Sequence, residues 1–281
     1  MEARRGSRGL CISIDVERDY RLDGRLSIRG IEDGLPRFTD FLKSRDVPFD
    51  LFISGEIADR LPDGLPGTQV AVGCHGMQHP RGRQSYLNRM SKAAQREEIA
   101  AATERVKSAT GRTAIHFRAP NFSANATTIA ILDELGYRID SSVLPGRYVK
   151  RWRLLPLLDH RGAPQSPYHP DIQRIARKGA SKILEVPVSP NLIMPGGPLG
   201  LGFVNASGVP DALRAASELA SECIVLLAHS WEMVDWGPTD PVAPWVRKAS
   251  SSHLDAFGHF LDHFPQSAFV NMDRILERGA S

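Results

Sequence analysis

Leu10-Cys11-Ile12-Ser13-Ile14-Asp15-Val16-Glu17-Arg18-Asp19 is an apolar run of strand length that ends in three carboxylates. The same arrangement returns twice. Val72-Gly73-Cys74 runs into His75-Gly76-Met77-Gln78-His79-Pro80, and Ile224-Val225-Leu226-Leu227-Ala228 runs into His229-Ser230-Trp231-Glu232. Short stretches rich in Val, Ile and Leu, bounded by Gly, Pro or polar clusters, read as buried strands. Polar residues just past the carboxyl ends of such strands converge on one mouth in α/β barrels. Three strands that deliver carboxylates and imidazoles to one rim supply what a hydrolytic metal centre requires.

Working outward, residues 10–14, 49–53, 69–73, 114–117, 183–188 and 224–228 are predicted strands. Between them lie helical patterns. Residues 91–110 carry Ala94, Ile99, Ala102 and Val106 on one stripe and close at Gly111; residues 123–135 start at a Ser cap and stop before Gly136. Pro210 opens a helix to about Glu222, and residues 252–264 are amphipathic. This βαβα succession implies parallel strands covered by helices, as a barrel or a doubly wound sheet. No internal repeat is visible. Two stretches look irregular, 145–181 and 193–209. The second carries Gly196, Gly197, Gly200 and Gly202 but lacks the Lys-Ser/Thr ending of a phosphate-binding loop, so it reads as a mobile loop.

The 281 residues, 42% hydrophobic and 24% charged, suit a globular protein with a substantial core. We expect one domain, 1–281, with a basic Pro-rich insertion at 145–182. Cys11, Cys74 and Cys223 sit in or beside apolar runs, and an odd count there reads as reduced thiols. No apolar stretch of about 18 residues is present, and the run after the basic N-terminus is too short and too charged for a signal peptide. The expected location is therefore cytoplasmic. The net charge is +3, but residues 146–182 hold nine Lys or Arg against two acidic residues, which leaves −4 for the rest. Basic character confined to one segment argues against nucleic acid. It reads as a solvated insertion or as an anion-binding surface.

Among nine histidines, two pairs have the His-x-x-x-His spacing. His259 and His263 share a helical pattern with Phe257, Phe260 and Phe264 and have no strand end beside them, so they read as a helix face. His75 and His79 follow a buried strand, and Gly76 frees the backbone to turn both rings inward.

The succession of motifs resembles the polysaccharide deacetylase family, also called the NodB homology domain or carbohydrate esterase family four. Its His-Ser/Thr-x-x-His motif is similar to His75-Gly76-Met77-Gln78-His79, and its Arg-x-Pro-Tyr motif to Arg118-Ala119-Pro120-Asn121. Its Tyr-Asp-Ser-Ser phrase resembles Ile139-Asp140-Ser141-Ser142, and Leu-x-His matches Leu227-Ala228-His229. Asp15-Val16-Glu17 and the ending His229-Ser230-Trp231-Glu232 resemble the subgroup with an Asp-x-Glu or Asp-x-Asp first motif and a His-x-Trp-Glu ending. That subgroup contains peptidoglycan deacetylase-like and cyclic-imidase-like members. The resemblance runs from Leu10 to about Glu232.

The resemblance implies a distorted (β/α)7 barrel and a divalent metal, commonly zinc, with cobalt, nickel or iron as alternatives. Its ligands would be Glu17, His75 and His79. Asp15 would be the general base, oriented by Arg118, and His229 the general acid; a backbone amide near Asn121 would assist the oxyanion. Asp19 competes with Glu17. Asp140 reads as a turn cap or a functional acid, Glu185 as part of a buried ion pair, and Trp231 as pocket wall or core. The expected activity is metal-dependent removal of an acyl group from an N-acylated sugar of a cell-surface polysaccharide precursor, nucleotide- or lipid-linked. Arg147 and Arg151 would meet its phosphates, with peripheral membrane contact near Trp152. The alternatives are hydrolysis of another C–N bond (formamide, cyclic imide or ureide) and a non-catalytic carbohydrate-binding relative.

Overall fold

Strand β1 (Gly9–Val16) is buried along its whole length, so both of its faces have to be covered. Successive side chains on a strand point to opposite faces. Leu10, Ile12, Ile14 and Val16 pack outward against the helices, whereas Cys11 joins an inner cluster with Phe52, Ile139, Leu184, Val225 and Leu227. Ser13 and Asp15 share the inner face with Cys11, which puts polar groups inside a barrel. The computed structural model describes residues 8–65, 67, 69–78, 86–151 and 155–279.

The inner wall is a parallel sheet. β1 is flanked by β2 (Phe49–Ile53) and by the later strand β9 (Cys223–His229). From β2 the sheet continues through β3 (Val70–Cys74), β4 (His116–Phe117), β5 (Ile139–Asp140) and β8 (Leu184–Glu185). No continuous ladder joins the ends of this seven-strand path. Instead Ser189 N–H donates to the Val225 carbonyl (3.0 Å), Val225 N–H donates to Ser189 Oγ (2.9 Å), and Gly200 bridges Leu227. The result is a curled, open (β/α)7 barrel, as the family resemblance implied. A short strand, β10 (Phe269–Val270), pairs with the start of β1 beneath β2.

Helices α1 (Leu35–Ser44), α2 (Lys92–Thr110) and α3 (Ala126–Glu134) cover the first half of the wall and α5 (Val209–Glu218) and α7 (Asp255–Leu261) the second, while Met272 and Ile275 of α8 (Met272–Gly279) join the inner cluster. α2 closes at Gly111 as expected, and Ser91 is its N-cap. α3 starts later than predicted, because Asn125 and Thr128 form a capping box and Ser123 bonds the Pro120 carbonyl instead. α7 stops at Leu261, with His259 on it and His263 beyond its end.

Both segments read as irregular contain ordered elements. Residues 145–182 hold an antiparallel hairpin of β6 (Tyr148–Arg151) and β7 (Leu155–Asp159). Residues 193–209 are not a loop throughout: α4 (Leu201–Ser207) begins there and packs beside α6 (Pro244–Ala249). Gly200 allows it, since a Cβ there would lie 1.8 Å from the Leu227 carbonyl oxygen. All three cysteines are buried and free. No helix among the described residues is long and apolar enough to cross a membrane.

Gly200→Ala should therefore lower stability by about 2 kcal/mol or more, since overpacking against backbone costs roughly that much. Gly197→Ala, with nothing nearer than 3.7 Å, should change it little. Thermal melts of the two variants measure the difference, and equal melting temperatures would show that the α4 segment is not pinned to β9.

Candidate active site

The register of the sheet assembles the site. Asp15 lies opposite Phe52 on β2 and His229 on β9. His75 follows the last residue of β3, where Gly76 takes φ +66 and turns the chain under Pro120. Arg118 follows β4. Four strand ends thus deliver Asp15, His75, Arg118 and His229 to one pocket of about 770 Å³, together with Glu17, Asn121, Arg147, Trp231 and Glu232.

Arg118 is completely buried, which a cation tolerates only when its donors are satisfied. Its Nη1 donates to Asp15 Oδ1 (2.7 Å), Nη2 to Ser13 Oγ (3.0 Å) and Ser141 Oγ (2.9 Å), and Nε to the Ser141 carbonyl (3.1 Å). Its guanidinium carbon lies 4.1 Å over the Phe52 ring. Burial would raise the Asp15 pKa, but Arg118, then His75 and His229, outweigh it and hold the carboxyl below its usual range.

His75 Nδ1 lies 3.0 Å from the Arg118 carbonyl, a contact in which the ring nitrogen must donate. Nε2 then faces Asp15 Oδ2 at 3.6 Å and Glu17 Oε2 at 3.8 Å, too far for direct hydrogen bonds. Trp231 Nε1 donates to Glu17 Oε1 (3.0 Å), and burial raises the Glu17 pKa against the pull of His229 and His75. Glu232 takes the His229 backbone N–H (3.0 Å) and lies 3.3 Å from its Nδ1. Burial would lower the His229 pKa, yet Glu232, helped by Glu17 and Asp15, lifts it to about 9. The Trp231 ring stacks on His229 with centroids 4.7 Å apart, so Trp231 is pocket wall and hydrogen-bond donor together.

Other expected residues divide. Asn121 lines the pocket, and it and Phe122 both have positive φ (55° and 59°), a strained pair for side-chain-bearing residues. Arg147 lines the pocket and donates to the Gly196 carbonyl (3.1 Å). His79, Trp152 and the Arg151 side chain lie outside the described residues. Asp19 turns away from the pocket, accepting from Ser27 Oγ and from the backbone amides of Arg29 and Gly30. Asp140 accepts from Ser142 Oγ, the turn role anticipated for it. Glu185 forms no ion pair among the described residues, and Arg118 pulls on it only weakly compared with burial. Its neighbour is Asp140, and burial together with that second acid pushes its pKa well up. Sequence reasoning gave no role to Glu232, Tyr20, Phe203 or Trp245, all of which line the pocket. Only the Glu232 spacing, three residues after His229, carried a signal.

The metal expectation is corrected. Among the described residues no group of three or more His, Cys, Asp or Glu side chains could hold a metal ion. Arg118 takes Asp15 Oδ1, Trp231 takes Glu17 Oε1 and Glu232 lies beside His229 Nδ1, while the second oxygens of Asp15 and Glu17 face His75 Nε2. The positive charge facing the carboxylates comes from guanidinium and imidazolium.

A His229 pKa of about 9, against an ordinary 6.5, links folding to pH. Its stabilisation is full below about pH 6.5 and is lost as pH rises through 9, on the order of 3 kcal/mol in all. Melting temperatures from pH 6 to 10 should fall in the wild type and stay flatter in His229→Gln. Parallel profiles would show that His229 is not charged in the folded protein.

A family model for polysaccharide deacetylase matches residues 23–139. No curated protein matches the sequence. A polysaccharide deacetylase structure from Mycobacterium smegmatis is similar over 97% of this chain and 90% of its own, with 15% identity and a TM-score of 0.61. An allantoinase shares 15% identity over 97% of this chain and 90% of its own, TM-score 0.56. A family-four pseudoenzyme from Bacillus anthracis shares 13% over 97% of this chain and 66% of its own, TM-score 0.51. At such identities these likenesses show the fold. The missing ligand group among the described residues overturns the expected metal-dependent sugar N-deacetylase. Residues 23–139 thus match the polysaccharide deacetylase family model, and the chain shares its barrel fold with these structures.

Proposed function

We propose that the pocket hydrolyses a C–N bond of a cyclic imide, ureide or formamide through its own side chains. One observation carries this reading: three ionisable groups in one pocket are driven to different protonation tendencies. Asp15 is held ionised, Glu17 is raised, and His229 is raised to about 9. Environments that push neighbouring pKa values apart are how acid and base roles are assigned.

Glu17, a stronger base than an ordinary carboxylate, takes a proton as water attacks the carbonyl carbon. The gaps of 3.6 and 3.8 Å between His75 and the two carboxylates suit a water placed among them. As the C–N bond breaks, the leaving nitrogen receives a proton from His229. Four of the five Arg118 N–H groups end on Asp15, Ser13 and Ser141, so its task in this reading is to position Asp15. In an imide or ureide the leaving nitrogen spreads its charge onto a second carbonyl, and a formyl carbon is unhindered. Both features lower the demand on a site whose electrostatic help comes from side chains. The allantoinase of the same fold acts on a ureide by name, which supports this substrate class. The three buried free thiols support a reducing, cytoplasmic setting.

A second reading, a non-catalytic carbohydrate-binding relative, is supported by the pocket rim. Tyr20 (42% exposed) and Trp245 (52% exposed) lie 5.2 Å apart, and such faces stack on sugar rings. The pseudoenzyme of this fold supports it too.

Incubation with hydantoins, N-acylureas, succinimide and N-formyl sugars, with and without chelator, tests the reading. Turnover of one class should survive chelation and fall about 10²–10⁴-fold in Glu17→Gln. Loss of turnover on chelation would overturn the side-chain mechanism. No turnover, with saccharide binding that Trp245→Ala weakens, would select the binding protein.

A further inference from the structure

A second cleft, of about 760 Å³, opens between the β6–β7 hairpin, the start of α3 and residues 173–177. It shares no lining residue with the first pocket. His160, the residue after β7, is 1% exposed and lines this cleft. Its Nδ1 accepts the Leu144 N–H (3.1 Å), so the neutral ring carries its proton on Nε2. Burial, with Arg147 nearby, lowers its pKa to about 4 and keeps it neutral. That Nε2–H is buried and meets no partner among the described residues. Asn88 is its counterpart. Asn88 Nδ2 donates to the Leu157 carbonyl (2.8 Å), which leaves Oδ1 as a buried acceptor, again without a partner among the described residues. Buried polar groups are almost always satisfied in folded proteins, and two orphans on one cleft point to a ligand that satisfies them. One needs an acceptor and the other a donor, and hydroxyl groups supply both.

The charge of the cleft adds a second requirement. Arg161 is already engaged, bidentate to Asp159 (2.8 and 2.6 Å) and with its guanidinium carbon 3.8 Å from the Tyr148 ring centroid. Arg174 and Arg177 also line the cleft, are exposed, and form no ion pair with a described residue. Asn125, the N-cap of α3, places the positive end of a nine-residue helix on the same wall.

We propose that this cleft binds a saccharide bearing an anionic group, its hydroxyls meeting His160 and Asn88 and its anion meeting Arg174 and Arg177. The site lies on the basic insertion and is independent of the chemistry assigned to the first pocket. It gives the concentration of arginine in residues 146–182 a specific task.

Calorimetric titration of the full chain with glucose 1-phosphate, glucuronate, glucose and inorganic phosphate tests it. At least one anionic sugar should bind, more tightly than glucose or phosphate, and more weakly as salt rises. The Arg174→Gln, Arg177→Gln variant should lose about ten-fold in affinity, since exposed arginines alter the charge without touching the core. Asn88→Asp should weaken binding as well, and Trp245→Ala should leave it unchanged. The tighter of the two anionic sugars tells phosphate from carboxylate. Absent binding, inorganic phosphate as tight as the sugar phosphate, an unaffected arginine variant, or loss in Trp245→Ala would each overturn the proposal.

Discussion

A guanidinium buried in the middle of a β-barrel is the constraint on which the rest of this molecule depends. Arg118 has no exposure to solvent, and its donors end on Asp15, Ser13 and Ser141, which come from two different strands or their ends. Removing one partner of such a pair leaves an uncompensated buried charge, typically worth about 3–5 kcal/mol. The inner face of β1 must therefore stay polar at Ser13 and Asp15, and the turn after β5 must present Ser141 inward. The apolar inner cluster occupies what remains. The barrel is consequently divided, with a hydrophobic lumen below and an ionic layer at the carboxyl ends of the strands.

That ionic layer orders the pocket above it. Because Arg118 fixes Asp15 as a carboxylate, His75 and Glu17 meet a permanent negative charge. The neighbouring Glu17 is pushed towards its neutral form by burial, and His229 towards its charged form by Glu232. Three groups that would titrate near their ordinary values in water are separated by burial and by each other. Trp231 ties the two sides, donating to Glu17 while stacking on His229.

The insertion at 145–182 illustrates a different principle. Its composition was legible as basic, but charge on a chain does not say where it will be presented. Folding placed Arg147 at the first pocket and Arg174 and Arg177 at the second cleft, and it neutralised Arg161 against Asp159. The hairpin also buried His160 and Asn88 in positions where each lacks a partner among the described residues. Nothing in the local pattern around His160 announced this.

The sequence by itself determined the parallel β/α architecture, since apolar runs bounded by turn residues have to be buried on both faces. It also determined which strand ends carry Asp15, His75, Arg118 and His229, because residues next to a buried strand inherit its position. Of the two acids, Glu17 lines the pocket, whereas Asp19 is consumed in holding the backbone of Arg29 and Gly30. Tertiary structure alone decided the contacts between segments far apart in the chain. It set Glu185 against a second acid, brought Tyr20 and Trp245 together across 225 positions of sequence, and fastened residues 193–209 to β9 through Gly200. The division has a physical cause. Burial and strand direction follow from local periodicity, whereas protonation, pairing and pocket shape depend on which distant groups share the same few ångströms of low-dielectric space.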